Sequence, residues 1–150
     1  MTISVEVKGM KELIDSLDKY PEQVNAALEA TTEAAMLALW ESVPPYPEPP
    51  ANSSYRRTAT LGRTLGSGVS GGKAGAPDIF EVHELGGGSF EGHFGTNLDY
   101  APYVIGESEQ AWMHKGRWWT IKTVAERAQE KIERLFNLLA DKLAKYLDGK

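Results

Sequence analysis

The chain has 150 residues, one domain's worth, enough to bury roughly 68–70% of the surface its unfolded form exposes. Hydrophobic residues at 41% and charged residues at 25% exclude a disordered or fibrous chain, and zero cysteines exclude a disulfide framework, a thiolate metal site and a cysteine nucleophile. A net charge of −5 argues against a surface given over to polyanion binding.

Ile3, Val5 and Val7 alternate with Ser4, Glu6 and Lys8, which predicts a half-buried strand ended by Gly9. Leu13, Ile14 and Leu17 mark a short amphipathic helix from Met10 that stops before Pro21. Pro21 and Glu22 suit the first turn of a second helix, since proline lacks only an N–H that is unpaired there and an acid suits the positive end of the dipole. Val24, Leu28, Ala35, Leu39 and Val43 carry that helix to PPYPEPP, where five of the eight prolines lie between Pro44 and Pro50. This segment predicts an extended, stiff connector; a motif for an SH3-type partner is the sharper alternative.

Eleven of the 15 glycines lie between Gly62 and Gly95. Short β-prone stretches between glycine clusters predict strands at about 60 to 68, 79 to 85 and 90 to 97. The run GSGVSGGKAGAP is expected to be a mobile loop, with residues 66 to 76 the least ordered of the isolated subunit. From Ile121, the residues Val124, Ala128, Ile132, Leu135, Phe136, Leu139, Leu143, Tyr146 and Leu147 keep one apolar face, predicting a helix over about 120 to 147, roughly 40 Å long. A helix of that length either curves over a sheet or reaches a neighbour. No internal repeat supports a solenoid. An antiparallel sheet has one face to offer the apolar stripes of the helices, so the expected fold is α+β: a small antiparallel sheet with glycine-rich hairpins against two or three helices, in a single domain spanning 1–150.

Candidate chemistry is sparse. His83 and His93, with Glu84 and Glu91, form a conceivable metal site across the GGGS turn, but outward strand positions hold such residues by chance, and no metal or other cofactor is expected. There is no G-x-S-x-G elbow or recognisable triad, so no catalytic residue is assigned. GSGVSGGKAG lacks the G-x-x-x-x-G-K-[ST] pattern of a phosphate loop. The segment Trp112, His114, Lys115, Arg117, Trp118, Trp119 interleaves aromatics with bases. Three readings stand side by side: a stacking platform for single-stranded nucleic acid, an interface hot spot, and a lid over the sheet edge that starts the long helix. Glu107 and Glu109 nearby disfavour the first.

Four segments resemble, in order, the minor tail or neck proteins of long-tailed phages, a tail-component family that joins head to tail. VEVKGMKELIDSLDKYPEQV is similar to that family's short strand, glycine and small helix before a proline and a long helix. YRRTATLGRTL, through Thr58, Thr60, Leu61 and Arg63, resembles its T-G-x-L-R-x-S turn. GTNLDYAPYVIGE is similar to its Y-A-x-Y-V-E-x-G motif through Tyr100, Ala101, Tyr103, Val104 and Gly106, and QAWMHKGRWWT leads into a closing helix as in relatives with Q-x-x-x-H and tryptophans. Ala59 stands where the family carries glycine, and Ile105 where it often carries glutamate.

What the resemblance implies is an α+β fold, no catalysis, and a structural role in the virion at the neck, the tail-completion layer or among the minor tail components. The expected partners are further copies of the chain in a ring and the neighbouring head-connector or tail-tube and tail-terminator proteins. No membrane or specific nucleic acid is expected, although packaged DNA passes nearby. The alternative function is a small nucleic-acid-binding module using Trp112 to Trp119. Charge adds a separate argument: residues 1–50 carry 9 acids and 3 bases, whereas residues 111–150 carry 5 and 9, an asymmetry able to match parts of one fold or successive copies. Candidate interface residues are Tyr100, Tyr103, Trp112, Arg117, Trp118, Trp119, Arg56, Arg57 and Arg63. Tyr100 and Tyr103, three apart, are expected to share a face of one helical turn and dock on the sheet with their phenols at its rim. No apolar run approaches the ~20 residues of a membrane span, and MTISVEVKG lacks a secretory signal pattern, so synthesis and assembly in the host cytoplasm are expected before incorporation into the virion.

Overall fold

The computed structural model describes residues 1–6, 21–54 and 56–147. The expected short helix between Met10 and Pro21, and Val7 of the first strand, lie outside them. The described residues form an α+β fold of five strands and four helices: β1 (Thr2–Glu6), α1 (Pro21–Glu41), α2 (Thr60–Thr64), β2 (Leu65–Ser67), β3 (Lys73–Pro77), β4 (Ile79–Gly86), β5 (Ser89–Gly95), α3 (Ala101–Ile105) and α4 (Ile121–Leu147). An antiparallel sheet runs β1-β5-β4, and β2 pairs with β3 in a separate two-stranded hairpin. No helix among the described residues is long and apolar enough to cross a membrane.

Strand alternation separates the faces of the three-stranded sheet. The registers Ile3 to Phe94, Phe80 to Phe94 and Val82 to Gly92 put apolar side chains and a glycine on one face, and α1 lies across it. Gly92 lets α1 come close: a Cβ there would sit 2.7 Å from Met36 Sδ. On the other face stand Ser4, Glu81, His83, Glu91 and His93.

Helix α4 packs along α1. Val24 and Leu28 cluster with Leu139, Leu143 and Phe90, while Met36, Leu39 and Val43 share a cluster with Val124, Ala128 and Phe94. The start of one helix therefore meets the end of the other, and the pair is antiparallel. Both apolar stripes are covered in this way, and each fully buried leucine or phenylalanine contributes about 1.5–3 kcal/mol of transfer free energy.

Two expectations fail in the glycine-rich third. Residues 60–64, expected as strand, form α2. Ala59 enters the left-handed region at φ 57°, ψ 17° and the Arg63 N–H closes a turn onto the Ala59 carbonyl. Residues 66–76, expected to be a mobile loop, instead form most of the β2–β3 hairpin. Its partners come from the end of α1. Trp40 Nε1 donates to the Gly66 carbonyl at 2.6 Å, Lys73 lies 5.0 Å above the Trp40 ring, and Glu41 pairs with both Lys73 and Lys131. The Lys131 hydrogen bond, with the Lys73 charge beside it, holds the Glu41 carboxyl below its ordinary value.

Candidate functional site: an aromatic and cationic groove

Residues 44–50 run extended from the end of α1, as proline requires. Their course is fixed by Tyr46, whose N–H donates to the Val69 carbonyl at 2.8 Å and whose hydroxyl accepts from the Gly62 N–H. Only glycine fits at 62, because a Cβ would lie 2.7 Å from the Ser67 carbonyl oxygen and 2.9 Å from Tyr46 Oη. The Tyr46 ring meets the edge of Trp118 at 4.9 Å. Arg57 sits 5.8 Å from the centres of both rings, within cation–π reach of each. Burial of Tyr46 raises its pKa, so the phenol stays neutral.

The opposite wall starts at Thr96, which is fully buried. Its hydroxyl donates to Thr64 Oγ1 at 2.7 Å and accepts from the Leu98 N–H at 3.1 Å, while Asp78 accepts from the Asn97 N–H at 3.0 Å. This node ties α2, the start of β4 and the chain after β5 together, and so places α3. Ala101 and Ile105, four apart, are the buried residues of α3. Tyr100 and Tyr103 therefore point outward, at 44% and 58% exposure, and do not dock on the sheet as expected.

Gln110 fastens the next turn: its amide donates to the Val104 carbonyl at 2.8 Å and to the Trp118 carbonyl at 3.3 Å. The tryptophan segment then divides. Trp118 and Trp119 pack against the core just before α4, and Trp119 Nε1 donates to the Pro45 carbonyl at 3.2 Å. Trp112 is 82% exposed and Met113 50%. Between the walls lies a groove of about 810 Å³, lined by Tyr46, Pro50, Leu61, Tyr100, Val104, Met113, His114 and Trp118 with the cations Arg57 and Arg117. No carboxylate is among the described residues that line it. His114 Nδ1 is buried without a hydrogen-bond partner. Burial, and secondarily the Arg117 charge, hold the imidazole below its ordinary value, so it is neutral at neutral pH.

Of the sequence candidates, Tyr100, Arg57, Arg117 and Trp118 line the groove, and Tyr103 and Trp112 stand exposed on the elements that form that wall. Trp119 is a packing residue; Arg63 donates to Thr60 Oγ1 at 3.2 Å, and Arg56 is exposed. Sequence reasoning missed Tyr46, Leu61, Val104 and Met113 as lining residues. An aromatic set between prolines, as Tyr46 is, was the one available signal. The histidine pair does meet, with rings 5.7 Å apart. Each is taken by the carboxylate two residues earlier, His83 by Glu81 at 3.0 Å and His93 by Glu91 at 3.2 Å. Glu84 lies on the other face, where it accepts from Asn25. No group of three metal-ligating side chains able to hold a metal occurs among the described residues.

No protein-family model, curated protein or solved structure matches the chain.

Proposed function

We propose that this protein is a structural component of the head-tail junction of a long-tailed phage or prophage, working by association with copies of itself and with neighbouring connector or tail proteins. The observation that carries the reading is convergence. Three of the four segments that resemble the tail-component family, separated by up to some fifty residues, meet around one groove and leave Tyr100, Tyr103, Trp112 and Met113 uncovered beside it. Large exposed aromatics gathered on one surface are what association uses. Disrupting the gene in the phage that carries it is expected to give unjoined heads and tails; normal joined particles would refute the role.

The basic and aromatic lining of the groove also suits a single nucleic-acid strand, the second reading. It predicts binding of a labelled oligonucleotide that weakens steeply with salt. Of the three tryptophans of the segment 112–119 only Trp118 lines the groove, Trp119 packing against the core, and for that reason association between proteins is preferred.

A further inference from the structure

We propose that the groove docks a segment of a partner protein in which one apolar anchor, aromatic or aliphatic, lies beside one or two carboxylates. The inference rests on the assembly reading above for the partner being a protein, and it names the chemistry by which this chain recognises that partner.

The charge of the groove is an exception on this chain. Acidic residues outnumber Lys and Arg by 21 to 16, and several exposed cations of the body are neutralised within the fold: Lys73 and Lys131 pair with Glu41, Lys122 with Glu107, and Arg134 with Glu130. No carboxylate of the described residues lines the groove, and neither Arg57 nor Arg117 forms an ion pair among them. Arg57 lies against the Tyr46 and Trp118 rings, and Arg117 donates to the Glu48 carbonyl at 3.4 Å, a neutral acceptor that leaves its charge uncompensated. Lys115, in the same turn as Arg117, is exposed. Two guanidinium groups on one cavity with no counter-charge of their own suit a carboxylate, whose planar oxygens match the guanidinium fork.

The walls supply the apolar half of the recognition. Tyr46, Leu61, Tyr100, Val104, Met113 and Trp118 offer aromatic, aliphatic and thioether surface around the arginines. A cavity of about 810 Å³ has the size that encloses a drug-sized ligand, which is one side chain with its neighbours in a peptide. Exposed Tyr103 and Trp112 stand on the elements of the same wall, apolar surface that a segment of a larger partner covers and a small molecule confined to the groove does not. The surrounding acids favour a short acidic segment over a nucleic-acid strand. Glu48 and Asp99, both exposed, are close neighbours in the chain of the lining residues Pro50 and Tyr100, so phosphates continuing out of the groove meet like charge. A segment with one or two carboxylates places its charge at the arginines and carries none beyond them, and that complementarity selects it as the occupant.

The test pans a library of random displayed peptides on the whole chain and measures the selected peptides by fluorescence anisotropy. Expected are sequences with Asp or Glu beside an aromatic or aliphatic residue. Arg117→Glu and Tyr100→Ala are each expected to weaken their binding about 10-fold or more, while Arg134→Glu, a charge reversal on the body, leaves it unchanged. Arg117 and Tyr100 are exposed, so urea unfolding of both groove variants is expected to match the wild type, which separates lost binding from lost folding. Selected peptides without acids, or acidic ones bound equally by all three variants, overturn the proposal and leave assembly through the exposed rim intact. A labelled single-stranded oligonucleotide that binds and is lost in Arg117→Glu, with no peptide enriched, overturns it in favour of nucleic acid. Normal joined particles after gene disruption remove the virion role, and with it the virion protein as partner, without altering peptide binding, so the two failures are distinguishable.

Discussion

In the helix and sheet body, Leu28, Met36, Leu39, Phe94 and Val124 are all but completely buried, whereas beside the groove Tyr100, Tyr103, Trp112 and Met113 stand 44–82% exposed. The body is held by long elements covering one another's apolar faces. The groove is held by single hydrogen bonds between short segments: Tyr46 with Gly62, Thr96 with Thr64, Gln110 with Val104 and Trp118. One region spends its large side chains on stability, and the other keeps them available. A substitution in the body should therefore cost folding, while one at the exposed rim should cost association and leave folding alone.

The largest effect is expected at Phe94, where the two covered faces meet. Phe94→Ala is expected to cost about 3–5 kcal/mol in urea unfolding. Thr96→Val, at the node joining body to groove wall, leaves the Leu98 N–H without its acceptor, and an expected loss of about 1–3 kcal/mol is measurable the same way. Ala59 holds a left-handed conformation that disfavours a side chain, so Ala59→Gly is expected to raise stability by up to about 1 kcal/mol.

The resemblance placed a glycine at that last position, and the backbone agrees with the glycine rather than with alanine. Elsewhere legibility followed the range of the forces. The strands near 79 to 85 and 90 to 97 and the helices from Pro21 and Ile121 were readable because burial of one face imposes a period on the residues themselves. Of the strand expected at 60 to 68, Leu65–Ser67 is strand, but residues 60 to 64 misled because Thr60, Leu61 and Thr64 mix β-prone and apolar types, while the turn that makes them helical depends on Ala59. The hairpin at 65–77 was unreadable because its partners, Trp40, Glu41 and Tyr46, lie some twenty or more residues away. The groove was unreadable for the same reason. Four of its lining residues were named, but nothing local says that Arg57 lies close to both the Tyr46 and Trp118 rings, or that of Trp112 and Trp118, six apart, only the second lines the groove.

A smaller effect should appear with pH. Because the folded protein holds His114 below its ordinary value of 6.5, the unfolded chain binds more protons between that depressed value and 6.5. Stability is then full above about pH 6.5 and falls as pH drops through that window. Replacing His114 with Gln should flatten this part of the profile in chemical denaturation; an unchanged slope would place the titration elsewhere.

The smallest effect on folding, and the most telling, is expected at Trp112. Trp112→Ala removes a side chain that is 82% exposed, so unfolding should change by no more than about 0.5 kcal/mol. The decisive measurement is the solution mass of the wild-type chain and of Trp112→Ala at equal concentration by light scattering. The account predicts an oligomer for the first and a monomer of unchanged stability for the second; equal masses would contradict it.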